Sequence, residues 1–534
     1  MIGSNARVLT HTSPTADRAQ AWPRPGGPKF LAALLNVPGV PFTLAALALA
    51  VPAIMANRIW MFGDVFWVLK NGELLVERGA LGSSDPFTFA PHVEGAMNAQ
   101  WLAHFVFYGV YRLLGSEGVI GFTALVATAT CAFLYHTALR RTGNVAAAAL
   151  STGATLPVMM WMLNPRAQLF AFLLFAMTSW LVTCAPRRLP ILLALGVIEA
   201  LWANIHGSFF LAPVFVGVML CGEAYTVCRA AGWRPILRNP QLRFLTAAIG
   251  IQVLASLATP YGVDLYVYAA RLTNNSIIRN YVIEWAPSNI DQGPGIAFFL
   301  SAVVTLVLAA RAKRGITVTD GLVLAVFGVL GLQAVRNVVW WGLVSAPILA
   351  VALSQLSVPR QLRSICQRAS TPRQNLIRAG AILLVVLALS PWARSAHPLL
   401  ARIAPVSTHG LLPPDYPVGA IEYLRSVSLP PRVYVDQPWG AYFDWELWPR
   451  YQPLVDASIE THPADVWMDV MAISVGLETW QAKLDAYDVQ VLMLNSERQV
   501  DLIKAVDRSP AWRRAFTDEY GVFYARATDM EAAL

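Results

Sequence analysis

The chain has 534 residues, of which 56% are hydrophobic and only 13% charged, and its formal net charge is +8. A soluble protein of this size carries about twice that charged fraction, and here the apolar residues come in blocks of about 18 to 22, enough to cross a hydrocarbon core. Composition excludes a soluble enzyme and predicts an α-helical polytopic membrane protein.

In chain order, the first 28 residues are polar and bear Pro and Arg, with no apolar region before Phe30, which predicts a disordered cytoplasmic tail over 1–36 without a cleavable signal peptide. Eleven spans are expected in a transmembrane domain over 37–395, near 38–56, 118–139, 145–163, 168–185, 189–205, 209–226, 244–259, 295–310, 318–335, 338–355 and 379–395. With the N-terminus inside, the inner segments hold twenty of the forty Lys/Arg, among them Arg140 and Arg141, Arg187 and Arg188, and Arg360 to Arg378. The outer loops are poor in cations, as the positive-inside rule requires.

The first outer loop, 57–117, is the most polar of the exterior connections. Asp64–Glu77 places Val65, Trp67, Val68, Leu69, Leu74 and Leu75 at helical spacing, with Lys70, Glu73 and Glu77 between them. That pattern predicts an amphipathic helix lying on the membrane surface. A turn follows at Gly82–Pro86, and Trp101–Leu114 reads as a second amphipathic helix. Later outer connections are short and polar: Asn164–Gln168, Trp202–Ser208, the stretch from Thr259 to Pro294 with Glu284 and Trp285, and Arg336-Asn337.

An odd number of spans puts the remainder, 396–534, outside. It holds eleven Lys/Arg and nineteen Asp/Glu, a net of −8, so the rest of the chain carries +16. The basic pI thus belongs to inner loops facing anionic lipid, and no basic-aromatic strip suggests nucleic acid. Helices at 418–426, 479–487 and 497–506 alternate with strands at 432–436, 453–456 and 489–494, and a hairpin spans 512–526; this predicts a small α/β domain. The five cysteines, Cys131, Cys184, Cys221, Cys228 and Cys366, all fall in spans or on the inner side. The exterior therefore has no disulfide, and no pair has metal-ligand spacing.

Several of these residues can carry chemistry. Asp64, an outward carboxylate just after the first span, suits a general base that takes a proton from an attacking hydroxyl; equally, it suits a helix N-cap. Arg166 and Arg336, with His206, stand at the outer mouth, where guanidinium groups grip phosphate oxygens bidentately. The bland alternative is interface anchoring, or pairing with Glu199 and Glu284. Trp101 is an aromatic candidate for the same site. Asp85, with His92 and Glu94, is a candidate partner of Asp64 in a divalent-metal site (Mg or Mn), although the spacing matches no defined ligand motif. No cofactor is otherwise indicated.

With Gly63-Asp64 after the first span, two amphipathic helices in the first loop and a soluble domain after the last span, the chain resembles the GT-C superfamily of polyprenyl-phosphate-sugar-dependent glycosyltransferases. It is also similar to a broad group of bacterial membrane proteins through short motifs. These are Asp64-x-x-Trp67…Gly72, Asp85-Pro86-Phe87-Thr88-Phe89, Gln100-Trp101-Leu102, Asn164–Gln168, Trp202–Phe209, Thr259-Pro260-Tyr261-Gly262, Arg336-Asn337, Trp439–Tyr442 and Val455-Asp456. The resemblance implies that Asp64 is the catalytic base or helps bind acceptor or metal. Many such enzymes have two adjacent acids there, whereas Val65 follows Asp64 in this chain.

The expected function is transfer of a sugar from a polyprenyl-phosphate donor to a glycan, lipid or protein acceptor at the periplasmic face of a bacterial inner membrane. The alternative is a transporter or polysaccharide-assembly component that binds lipid-linked glycans without cleaving a bond. Transporters place polar groups at the midplane, whereas here they gather at the outer connections.

Overall fold

A computed structural model describes residues 28–57, 61, 63–81, 85–95, 97–403, 412, 413 and 415–528. The N-terminal Arg7, Arg18 and Arg24, and Gly82–Ser84 of the expected turn, lie outside these residues. The tail expected over 1–36 is corrected at its end: Pro28–Leu35 (PKFLAALL) is helix α1, because its apolar residues recur at helical spacing once Pro28 has started it.

The helical body continues with α2 (Gly39–Ala56), α3 (Asp64–Arg78), α4 (Trp101–Thr142), α5 (Val145–Met159), α6 (Ala167–Cys184), α7 (Leu189–Ala203), α8 (Leu211–Ala231) and α9 (Pro240–Ala255). After the short α10 (Asp264–Asn274) and α11 (Ser276–Tyr281) come α12 (Gly293–Arg311), α13 (Val318–Gln333), α14 (Val338–Leu353), α15 (Arg360–Cys366) and α16 (Pro372–Ala388). Ten of the eleven expected spans fall on one of these helices; the eleventh, 379–395, overlaps only the second half of α16 and runs past its end at Ala388. Among the described residues seven are long and apolar enough to cross a bilayer, and α7 and α13 are shorter apolar helices.

The chain is thus a polytopic membrane protein whose buried backbone groups are satisfied within helices, as lipid requires. Helix α14 is its axis, with every residue from Val338 to Ala352 buried. It packs on α4, α5, α12 and α13. Around its N-terminal end Trp340 stacks on Trp202 at 6.0 Å between ring centroids, and Phe172 and Phe175 meet the same indole at 5.1 and 5.5 Å.

The two helices expected at Trp101–Leu114 and 118–139 form one run, α4, that bends at Gly115 (φ 68°, ψ −166°). Only glycine adopts that conformation without strain. The bend lets the first part of α4 lie against α3 while the second part enters the bundle. Gly72 allows the α3–α4 contact: a Cβ there would lie 2.3 Å from the His104 carbonyl oxygen and 2.5 Å from Tyr108 Cβ.

After α17 (Pro391–Ala396) and α18 (Pro398–Ile403), the C-terminal domain holds α19 (Val418–Ser426), β1 (Arg432–Val435), α20 (Gly440–Leu447), β2 (Gln452–Pro453), α21 (Ala464–Ser474), α22 (Trp480–Ala486), β3 (Val491–Asn495), α23 (Val500–Arg508), β4 (Trp512–Thr517) and β5 (Gly521–Arg526). The sheet order is β2-β1-β3-β5-β4. Strand β1 pairs parallel with β2 and β3, and β5 pairs antiparallel with β3 and β4. The strand expected at 453–456 is shorter and earlier, and α20 and α21 fall where no element is expected.

The first loop packs directly on this sheet. Backbone N–H groups of Phe89 and Ala90 donate to the Pro453 and Leu454 carbonyls at 3.2 and 3.3 Å, beside the edge strand β2. The Trp448 indole and the Gln452 amide both donate to the Pro86 carbonyl, at 3.1 and 3.2 Å. An otherwise open sheet edge is thereby covered. Phe66 of α3 closes the contact by meeting Tyr416 and Tyr442 at 6.1 and 5.0 Å.

Candidate functional site: a cavity under the first loop

Asp64, Arg166, His206, Glu284 and Arg336 come from five separate connections and line one cavity of ≈ 360 Å³. The chain reaches these positions after α2, α5, α7, α11 and α13, so all five lie at the same end of the bundle.

Asp64 is the first residue of α3, and the N-cap is Gly63 at φ 50°, ψ −121°. This corrects the N-cap reading of Asp64. Its carboxylate turns instead to Arg166, whose Nε lies 2.8 Å from Asp64 Oδ2. Gly63 permits the left-handed turn that a side chain would strain. Its N–H donates to the Tyr416 hydroxyl, tying the start of α3 to the C-terminal domain.

Arg166 precedes α6 in extended backbone. Besides Asp64 it binds Glu284, with Nη1 2.7 Å from Oε1. Burial alone would lower the guanidinium, but Asp64 and then Glu284 outweigh it and raise it above its ordinary value. Burial likewise raises Glu284, and the Arg166 and Arg336 cations reverse this, leaving it below the usual carboxylate range.

Arg336 differs from Arg166. Among the described residues no carboxylate oxygen lies within 4 Å of its nitrogens; its guanidinium sits over the Trp285 ring, 4.5 Å from the centroid, a cation–π contact. Its N–H groups are therefore the more available for an anion entering the cavity.

His206 owes its form to the Trp202–Ser208 turn. The Ser208 N–H donates to Nδ1 at 3.1 Å, and the Ser208 hydroxyl lies 2.7 Å from the same nitrogen while accepting from the Trp202 indole at 3.3 Å. With Nδ1 accepting, the proton of the neutral ring sits on Nε2. Burial, and then the nearby Arg336 cation, push the imidazole down to about 3.

Three expected residues stand elsewhere. Trp101 is a strut, its indole donating to Asn204 Oδ1 at 2.9 Å. Glu199 is fully buried in α7, does not line the cavity, and finds no hydrogen-bond partner for either oxygen among the described residues. Asp85 borders a smaller neighbouring cavity of ≈ 70 Å³ and accepts from the Phe87 N–H at 2.9 Å.

The metal grouping of Asp64 with Asp85, His92 and Glu94 is not formed. Asp85 and His92 are drawn to the sheet edge by the loop's pairing with β2, while Glu94 is exposed. The nearest charged partner of Asp64 is a guanidinium, which repels a cation, so the donor set there does not fit a metal ion.

Glu460 and Tyr268 also line the cavity, and the Tyr268 hydroxyl donates to Glu460 Oε1 at 3.3 Å. Burial raises the Glu460 carboxyl above its ordinary range. Neither is among the residues expected for the site. Glu460 arrives from the α/β domain, and its only sequence signal is closeness to the Val455-Asp456 motif.

Two solved structures of the oligosaccharyltransferase of Archaeoglobus fulgidus share this architecture. The apo form overlays with a TM-score of 0.50 at 11% identity over 90% of this chain and 74% of that one. The complex with an inhibitory peptide and a dolichol-phosphate gives 0.51 at the same identity and coverage. ArnT of Cupriavidus metallidurans bound to undecaprenyl phosphate overlays at 0.45, with 14% identity over 90% of this chain and 97% of that one. No family profile matches the chain, and no curated protein matches it. At these identities the likeness to the archaeal enzyme is one of fold.

Proposed function

We propose that the protein transfers a sugar from a polyprenyl-phosphate donor to an acceptor hydroxyl, with inversion, in the cavity under the first loop. The observation that carries this reading is the convergence of Asp64, Arg166 and Arg336 on one cavity from connections far apart in sequence. The archaeal oligosaccharyltransferase of the same fold was solved with a dolichol-phosphate, which supports a lipid-linked phosphate as ligand. The cation distribution supports an inside N-terminus, with the cavity and α/β domain on the outer side of the membrane.

In this reaction Arg336 binds the donor phosphate, and the Trp285 face keeps its guanidinium extended into the cavity. Asp64 accepts the proton of the acceptor hydroxyl as its oxygen attacks the anomeric carbon from the side opposite the phosphate. The bond between that carbon and the phosphate oxygen breaks, and polyprenyl phosphate departs with its new charge held by Arg336. Arg166 is a positioning residue: bound to Asp64 on one side and Glu284 on the other, it fixes the carboxylate's direction. No step requires a metal at Asp64. The α/β domain, through Glu460, forms the wall past which the acceptor enters.

The test is conversion of a labelled polyprenyl-phosphate sugar by the purified protein in lipid nanodiscs. Label should leave the donor with wild type and stay on it with Asp64→Asn. Equal turnover by both would remove Asp64 from the role of base.

A further inference from the structure

We propose that Asp85, His92 and His462 bind a divalent cation of the zinc class that staples the first loop to the α/β domain. The site is separate from the cavity residues to which transfer is assigned, and the inference does not rest on that reaction.

Asp85 and His92 flank the segment that runs beside β2, and His462 follows the turn Ile459–Thr461. One donor atom from each of the three lies within 4.8 Å of the others. His92 Nε2 is 3.8 Å from Asp85 Oδ2. That is close to the edge of about 3.4 Å in a tetrahedral site with metal–ligand bonds near 2.1 Å. The two imidazoles stack at 4.9 Å and 29°, so both can turn an edge toward one point. His462 is buried, the Asp85 side chain is 6% exposed, and His92 is partly buried.

His462 Nδ1–H donates to the Pro91 carbonyl at 3.0 Å, so Nε2 presents a lone pair to the cluster. A carbonyl partner on the far nitrogen is how metal-bound histidines are held. The Thr88 hydroxyl sits among the three donors, 2.8 Å from His92 Nε2, 3.0 Å from Asp85 Oδ2 and 3.3 Å from His462 Nε2. It has one proton to give. The Ser458 hydroxyl, 3.3 Å from Asp85 Oδ2, is drawn closer to Asp456 Oδ1. If Thr88 gives its proton to Asp85 and His92 donates to Thr88, His462 Nε2 receives no proton from Thr88, and its lone pair is the one a cation would take. A cation resolves the surplus, with an oxygen from Thr88 or water as fourth ligand.

Two imidazoles, borderline donors, outnumber the one hard carboxylate and favour zinc over magnesium or calcium. The ion would fix the turn carrying Ser458 and Glu460, which border both cavities. Its role is to hold that wall in place.

The experiment uses the full chain in detergent, purified with a histidine-free tag, stripped with EDTA, loaded with zinc chloride and freed of excess by gel filtration. Metal content is read by mass spectrometry, and stability by melting with zinc or magnesium. Expected are one zinc per wild-type chain, a higher Tm with zinc but not with magnesium, and at least tenfold weaker zinc binding in both His92→Gln and His462→Gln. Because His92 is partly exposed, its variant keeps the test sound if His462→Gln folds poorly. Wild type retaining no zinc, both variants retaining it as tightly as wild type, or magnesium stabilising as much as zinc would overturn the proposal.

Discussion

Arg166 Nε lies 2.8 Å from Asp64 Oδ2, joining the start of the first-loop helix to the turn between α5 and α6. The Asp64 side chain is 41% exposed to the cavity, so solvent screens this pair and it adds little to stability. Its importance is directional: it sets where a carboxylate points. Asp64→Asn keeps the shape but loses the base, and should lower single-turnover transfer by about 10²- to 10⁴-fold. Arg166→Gln should cost less. The double variant should be no slower than Asp64→Asn alone, because both changes disable one unit; additive losses would show that Arg166 acts independently.

Gly63→Ala tests the turn that presents Asp64. No atom lies within 4 Å of where the new Cβ would stand, so the penalty is backbone strain at φ 50°, about 1–3 kcal/mol. Gly79→Ala, at the far end of the same helix with φ 62°, is the control. Both should lower the Tm, but only Gly63→Ala should also slow transfer. Equal slowing by both would mean that helix stability alone is being read.

Gly72→Ala should loosen the two surface helices. The added methyl would meet the His104 carbonyl and Tyr108 Cβ well inside contact distance, and overpacking of this kind costs about 1–3 kcal/mol. A lowered Tm, with faster proteolysis between α3 and α4, is the expected readout. An unchanged Tm would show that the helices separate freely.

Much of this architecture is legible in sequence, because lipid forces long apolar runs and the first loop's polar residues keep helical spacing. The α3 reading of Asp64–Glu77 agrees with Asp64–Arg78, and α19 matches its expected bounds. What periodicity does not reveal is pairing in space. That Arg166 pairs with Asp64 and Glu284 while Arg336 sits over Trp285 depends on how the connections between helices are stacked. The helix Gly440–Leu447 (GAYFDWEL) escapes notice because it is buried on nearly every side and has no polar stripe. Glu460 and His462 are isolated polar residues until the sheet edge is laid beside the first loop.

His206 provides a pH test. Its folded-state value, pushed down to about 3, lies below the ordinary imidazole value near 6.5, so the folded protein refuses a proton that the unfolded chain accepts. Its contribution is therefore intact above about pH 6.5 and declines as pH falls toward 3. His206→Asn keeps an acceptor for the Ser208 N–H but cannot titrate. Between pH 6.5 and 4.5 wild type should lose more Tm than the variant; equal losses would show that His206 protonates freely in the folded state.

A lipid-linked phosphate held in the cavity can be read by native mass spectrometry without knowledge of the acceptor. Purified wild type incubated with polyprenyl phosphate should show one lipid bound per chain. Arg336→Gln, correctly folded by its melting curve, should bind at least tenfold more weakly, the loss expected for one charge-assisted phosphate contact of about 1.5–3 kcal/mol. Failure of wild type to bind polyprenyl phosphate, or equal binding by Arg336→Gln, would contradict the cavity's role as its binding site.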